Sequence, residues 1–233
     1  MDTVQKRAQM IVLDLEMNPV PKEAASGLTR EVIEIGAVRV LDNAVSEDRF
    51  HVYVKPSFSC TVSPYIRRLT GIHNGNIRNA CSFEAAVREL SGWIGTDAET
   101  VICAWSDSDR RQLEEEAGAK KLVMPENMTV FKDVQRLHHE KMGADITRKQ
   151  MALSSAAEQF GITMSKRDSH SALYDAEITA DILVLLETGR YQKQASVLRS
   201  AACDRKGSAG SGFLLGDLCK EVFEQMGKQA LSI

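Results

Sequence analysis

The sequence has no apolar run long enough to cross a bilayer. Its longest, around Met10–Leu13 and Ile182–Leu186, fall far short of the roughly 18 residues a membrane span needs. The first ten residues, MDTVQKRAQM, are polar and lack the apolar centre of a signal peptide, so a cytoplasmic location and no membrane partner are expected. Cysteine is sparse: Cys60, Cys81, Cys103, Cys203 and Cys219 are an odd number without a CxxC spacing, which suggests neither a disulfide framework nor a zinc site. Reduced or buried thiols are expected. A basic surplus is also missing. Lys and Arg number 29 against 32 Asp and Glu, a formal net charge of -3, which by itself points away from a nucleic-acid partner.

What remains is an ordinary globular composition, 233 residues at 43% hydrophobic and 26% charged, enough for a real core in one large domain with an appendage or in two small ones. Gln9–Met17 is apolar except for two acids and reads as a buried strand, with a loop over Asn18–Arg30 punctuated by Pro19, Pro21 and Gly27. Alternation around Val32–Ile35, an Asp42-Asn43 turn and a β-rich run over Phe50–Val54 predict a hairpin. Ser63-Pro64 starts a short helix that Thr70-Gly71 ends, and Ser82–Gly95 is amphipathic at helical spacing. Val101–Trp105 reads as a second buried strand, followed by a helix from Asp107/Ser108 to about Gly118. Helical patterns then cover Phe131–Lys141, Lys149–Phe160 and Ser171–Glu187. Three strands followed by alternating helix, strand and helices predict an α/β fold, a mixed sheet with helices on both faces. Beyond Gly189 the composition turns basic, passes through the flexible GSAGSG and ends in a plausible helix over Phe213–Leu231, so residues 190–233 are expected to be an appendage.

Two acids stand where a core should be. Burying Asp14 or Glu16 unpaired would cost several kcal/mol. As i and i+2 of a strand they share a face about 6.6 Å apart, so both can converge on one cation, although a strand end meeting solvent or an arginine would also explain them. The pattern gains meaning if other acids converge. Asp107 and Asp109 follow the strand Val101–Trp105, and either could cap the next helix or reach the same point. Asp109, with Leu113 one turn later, is the poorer cap. Asp175 lies one turn into the Ser171–Glu187 helix, beside a small-residue face of Ala172, Ala176, Thr179 and Ala180, and His170 precedes that helix. The adjacent His138-His139 project about 100° apart on a helix without accompanying carboxylates, and surface or partial burial is expected of them.

Taken in order, Asp14-Leu15-Glu16, Trp105-x-x-x-Asp109-x-x-x-Leu113 and His170-x-x-x-x-Asp175-Ala176 resemble the three motifs of the DEDDh 3'-5' exonucleases, the family of oligoribonuclease, RNase T and the proofreading subunit of DNA polymerase III. Val32-Ile33-Glu34-Ile35-Gly36-Ala37 and Pro64-Tyr65-Ile66-x-x-Leu69-Thr70-Gly71-Ile72 support the match, which spans roughly Ala8 to Leu186. The resemblance implies a ribonuclease H-like mixed β-sheet flanked by helices and an exonuclease domain over residues 1–189. It implies that Asp14, Glu16, Asp109 and Asp175 hold two Mg2+ or Mn2+ ions, for which an all-oxygen donor set is suited. It also implies phosphodiester hydrolysis from the 3' end of single-stranded nucleic acid, releasing nucleoside 5'-monophosphates. His170 would be the general base, Glu16 would serve catalysis as well as metal, and Met17 and Asn18 would meet the terminal nucleotide. The second motif lacks the usual residues just before its aspartate, so Asp107 competes with Asp109. Asp109 alone preserves the spacing to Leu113. Arg67-Arg68 and the basic tail could track phosphates.

The rival is a catalytically idle module that uses the same fold to bind nucleic acid or a protein partner, and the presence of all five candidate residues speaks against it. Residues 190–233 could dock a protein partner or a second copy. Two divalent ions would take the formal charge from -3 to +1, so the mild acidity no longer excludes a polyanionic substrate.

Overall fold

The computed structural model describes residues 7–24, 27–143, 151–165 and 170–191. Six strands form one mixed sheet in the order β4-β3-β2-β1-β5-β6. Its centre is an antiparallel meander of β1 (Arg7–Pro19), β2 (Arg30–Leu41) and β3 (Ala44–Lys55). The β2–β3 loop is two residues long, and Asp42 and Asn43 both take positive φ, 51° and 59°, as the hairpin turn that matches strand twist requires. Beyond β1 lie β5 (Ala98–Ala104) and β6 (Phe131–Asp133), both parallel, and β4 (Cys81–Ser82) closes the other edge.

Alternation divides β1 between two cores. Ile11, Leu13 and Leu15 face the helices α3 (Phe83–Ile94) and α4 (Asp107–Ala119), packing on Phe83, Val87, Leu90 and Leu113. Val12, with Val38, Val40 and Cys103, packs on the opposite side against α5 (Val134–Met142), α6 (Leu153–Gln159) and α7 (Ala172–Thr188). Helices therefore cover both faces, as the element order predicts. A third small cluster of Ile33, Val62, Ile72 and Ile77 seats α1 (Pro64–Thr70) and α2 (Asn74–Arg78) beside the meander.

Several local readings change. The expected loop after Met17 is still strand to Pro19, followed by a 3-10 turn at Lys22–Ala24. The second hairpin strand starts at Ala44, well before Phe50, because Leu41 and Ala44 pair directly across the turn. The helix read over Phe131–Lys141 begins as β6, since Phe131 and Asp133 pair with Ile102 and Ala104, and α5 starts only where Asp133 accepts from Arg136 N at 2.8 Å. The pattern Lys149–Phe160 yields a helix over Leu153–Gln159, with residues 149–150 outside the described set. His138 and His139 are buried, at 1% and 7% exposure, because α5 is wedged among Trp105, Phe160 and α7. The described cysteines Cys60, Cys81 and Cys103 are free. No described helix is long and apolar enough to cross a membrane. The tail beyond Tyr191, with GSAGSG and the helix read over Phe213–Leu231, lies outside the described residues.

Candidate active site

Asp14 and Glu16 lie on the face of β1 that turns toward α7, directly opposite Gly36 and Glu34 of β2. A register shift follows at Glu16/Met17, where the next pair is Met17 with Val32. The start of α7 passes over this point because Gly36 has no side chain. A Cβ there would lie 2.1 Å from Leu173 N, so only glycine lets the helix backbone come so close. Glu34 then anchors the helix. It is 2% exposed, accepts the Ala172 N–H at 3.0 Å and faces His51 Nε2 at 2.6 Å across β3.

That docking brings the third motif to the first. His170 takes a left-handed conformation, φ 67°, just before α7, and its N–H donates to Asp175 Oδ2 at 3.3 Å. Glu16, His170 and Asp175 each present a ligand atom, all within 4.8 Å of one another. Asp175 Oδ1 is buried with no hydrogen-bond partner. Asp109 approaches from the other face of the sheet, 4% exposed at the start of α4, receiving a hydrogen bond from Ser108 Oγ at 3.3 Å.

The two candidates of the second motif are separated by their surroundings. Asp107 pairs with Arg110 and Arg111, each at 2.6 Å, which holds its carboxyl below the usual carboxylate range. Asp109 is buried and its carboxyl is pushed up to about 7 by loss of water, against the pull of Ser108, the backbone at Asp109 and Leu15, and Arg30. Asp14 is raised by burial and then by the charges of Asp109, Glu16, Asp175 and Glu34. Glu16 is pushed up to about 8 by burial, then by Glu34, Asp175 and Asp109. Burial also raises Asp175, which His170 partly offsets. Among the described residues none of these four carboxylates forms an ion pair with lysine or arginine. Converging, water-poor acids with an orphaned oxygen fit hard divalent cations, whose oxygen ligands they would supply.

Met17 is partly buried against the first core, and Asn18 is 1% exposed. The Asn18 amide accepts from Ser63 N at 2.8 Å and donates to Thr61 O at 3.1 Å, tying the end of β1 to the cap of α1. Sequence reasoning passed over Glu34 and Gly36 as site residues, treating their segment as supporting pattern only. The signal was present: Glu34 is an acid in an otherwise apolar stretch, the same anomaly that singled out Asp14 and Glu16.

A family model for exonucleases of the RNase T type matches residues 11–183. DNA polymerase III subunit epsilon of Salmonella typhimurium is 31% identical over 183 residues, covering 78% of this chain and 72% of that protein. ERI1 exoribonuclease 2 of Xenopus laevis is 26% identical over 176 residues, 66% of this chain but 25% of that protein. The fold is similar to the nuclease domain of 3'hExo, a DEDDh family member bound to rAMP, with a TM-score of 0.68 at 21% identity over 81% of this chain and 96% of that one.

Proposed function

The chain belongs to the RNase T-type exonuclease family, and from that premise we propose that it is a divalent-metal-dependent 3'-5' exonuclease that removes nucleoside 5'-monophosphates from single-stranded RNA or DNA ends. The observation that carries this reading is the convergence of Asp14, Glu16, Asp109 and Asp175, none in an ion pair with lysine or arginine among the described residues and one with an orphaned oxygen, beside His170. The four carboxylates would hold two Mg2+ or Mn2+ ions. When bound, such ions supply positive charge at the scissile phosphate and acidify a coordinated water.

The chain's own residues do the rest. His170, exposed on its left-handed turn, takes the proton of the attacking water, and its backbone N–H ties that turn to the Asp175 carboxylate. Glu34 and Gly36 fix the α7 N-terminus against β1 and so set the distance between His170 and the carboxylates. Met17 and Asn18 border the terminal nucleotide, Asn18 by holding the cap of α1 in place. Residues 1–189 form the exonuclease domain, and 190–233 are an appendage for a protein partner or a second copy. We place its work in the cytoplasm, in keeping with relatives that are subunits of a bacterial DNA polymerase.

The test uses 5'-labelled single-stranded RNA and DNA with Mg2+, Mn2+ or EDTA. Stepwise shortening from the 3' end that EDTA abolishes is expected. Intact substrate under every metal condition would leave the idle binding module as the better reading.

A further inference from the structure

The acids of this chain are unevenly placed. Between Asp48 and Glu84 none occurs for 35 residues, where 32 acids in 233 residues would put about five. The stretch covers most of β3 and the whole excursion through α1 and α2. It carries Lys55, Arg67, Arg68 and Arg78, all exposed, and none of these forms an ion pair among the described residues. Arg49, at the start of the same stretch, is bound to Glu177, and outside it Arg39, Arg110, Arg111 and Arg136 are each bound to a carboxylate, while the exposed Arg30 and Arg88 form no ion pair among the described residues. On α1 the cations accompany Tyr65, 63% exposed and the most exposed aromatic ring described. Tyr65 and Arg68, three residues apart, are neighbours on the helix surface.

This excursion is not a free loop. Ile33, Val62, Ile72 and Ile77 seat it on the meander, with Tyr53, the cross-strand partner of Glu34, packed against the same cluster. Asn18, two residues after Glu16, holds the α1 cap by two hydrogen bonds. The chain therefore ties an acid-free, cationic segment carrying an exposed ring to the end of β1, two residues beyond Glu16.

The geometry points to α1 as the track for the nucleotides that precede the scissile bond, with Tyr65 stacking on a base and Arg67 and Arg68 meeting phosphates. Stacking on an aromatic ring beside basic groups is how single strands are held without reading their sequence. A duplex would keep its bases paired and offer none to Tyr65. The inference rests on the exonuclease reading, since it takes the 3' end to lie at the carboxylates, but its signal is binding and does not need turnover.

The experiment measures binding of 5'-fluorescein decamers of deoxythymidylate and of uridylate by anisotropy in EDTA across a salt series. In parallel it measures Mg2+-dependent turnover of the decamers and of the p-nitrophenyl ester of thymidine 5'-monophosphate, which has no upstream nucleotide. Arg67→Glu/Arg68→Glu should weaken decamer binding at least about tenfold and lower the salt slope by about 1.4, since each single-strand phosphate contact contributes about 0.7. Tyr65→Ala should weaken it at least about fivefold. The loss of kcat/KM on the decamers should exceed that on the ester by a similar factor. Arg88→Glu/Lys141→Glu, the same charge change on α3 and α5, should shift binding less than about twofold. Equal losses on decamer and ester, an unchanged salt slope, or wild type that does not bind the decamers would overturn the inference. Decamer binding that depends on Arg67 and Arg68 without hydrolysis of either substrate would overturn the exonuclease reading and leave the track standing.

Discussion

Strand β2 carries two buried acids three residues apart whose surroundings could hardly differ more. Glu31 is fully buried and receives the N–H groups of Ser57, Phe58 and Ser59, with Lys120 at 3.3 Å. Lys120 also binds the buried Glu116 at 2.7 Å, which accepts from Val32 N and Gln112 as well. Here two carboxylates share one lysine, and neutral N–H donors inside the protein satisfy their remaining oxygens. Glu34 instead faces Glu16 and has only His51 and the Ala172 N–H as its own partners, and the carboxylates it borders, Asp14, Glu16, Asp109 and Asp175, form no ion pair with lysine or arginine among the described residues. Burial of an acid is thus no sign of function by itself. The distinguishing mark is whether the chain supplies the compensation or leaves it to a ligand.

The sharpest way to break this contrast is to neutralise one member of the uncompensated group. Asp14→Asn should lower turnover on the order of a thousandfold or more, yet raise the metal-free melting midpoint, by about 2–4 °C for each kcal/mol of repulsion removed. Activity assays beside a thermal melt check this, and a variant both active and destabilised would put Asp14 with Glu31 as a structural acid. Gly36→Ala attacks the docking of α7 instead. The new methyl would displace Leu173 and carry His170 and Asp175 away from β1, for an expected loss of roughly a hundredfold in kcat. A crystal structure of the variant with α7 unmoved would refute that account.

On the compensated side, Glu116→Ala leaves Lys120 and the Val32 N–H short of a partner and should cost about 3 kcal/mol in urea unfolding, while kcat per folded molecule stays within about twofold. A pH series separates the groups further. Glu16 and Asp109 hold protons in the fold to about pH 8 and about pH 7, far above their unfolded values near 4.5 and 3.8. Between those limits the unfolded chain has already released protons that the fold keeps, so metal-free stability should fall as pH rises from about 5 to about 8. Saturating Mg2+ should flatten or reverse that slope, because the bound ion favours the ionised carboxylates. A metal-independent slope would deny the cluster its role. The smallest effect belongs to Asp107→Asn, which removes partly exposed pairs with Arg110 and Arg111, should cost no more than about 1 kcal/mol and should keep activity within about twofold. A large activity loss there would return the second-motif role to Asp107.

Elements with a strong period were legible from the residues alone: the meander with its Asp42-Asn43 turn, α3 and α7. Those defined by a distant partner were not. β6 is three residues long, and only pairing with β5 makes it a strand, while β4 is two residues against the end of β3. The same division runs through the site. Asp14 and Glu16 stood out as acids in an apolar strand, and Asp175 as an acid beside a small-residue face. Glu34 carried the identical signal but lay in a hairpin whose alternation made an acid look like an outward residue. Choosing between Asp107 and Asp109 by spacing was a matter of one helical step, whereas burial and ion pairing separate them plainly.

By itself the sequence determined the family and the α/β class and singled out the acids as candidates, because motif order and apolar periodicity are properties of the chain read in one direction. Which acids share a place was decided only in three dimensions. Asp109 lies 93 residues after Glu16, and Asp175 lies 66 residues after Asp109. Their proximity depends on Gly36 admitting α7, on β5 pairing beside β1, and on Glu34 accepting from the first turn of the helix. So does the difference between Glu31, which Lys120 pairs, and the acids that Glu34 borders, since a carboxylate's charge is compensated or left open by groups that its own neighbours in sequence do not specify.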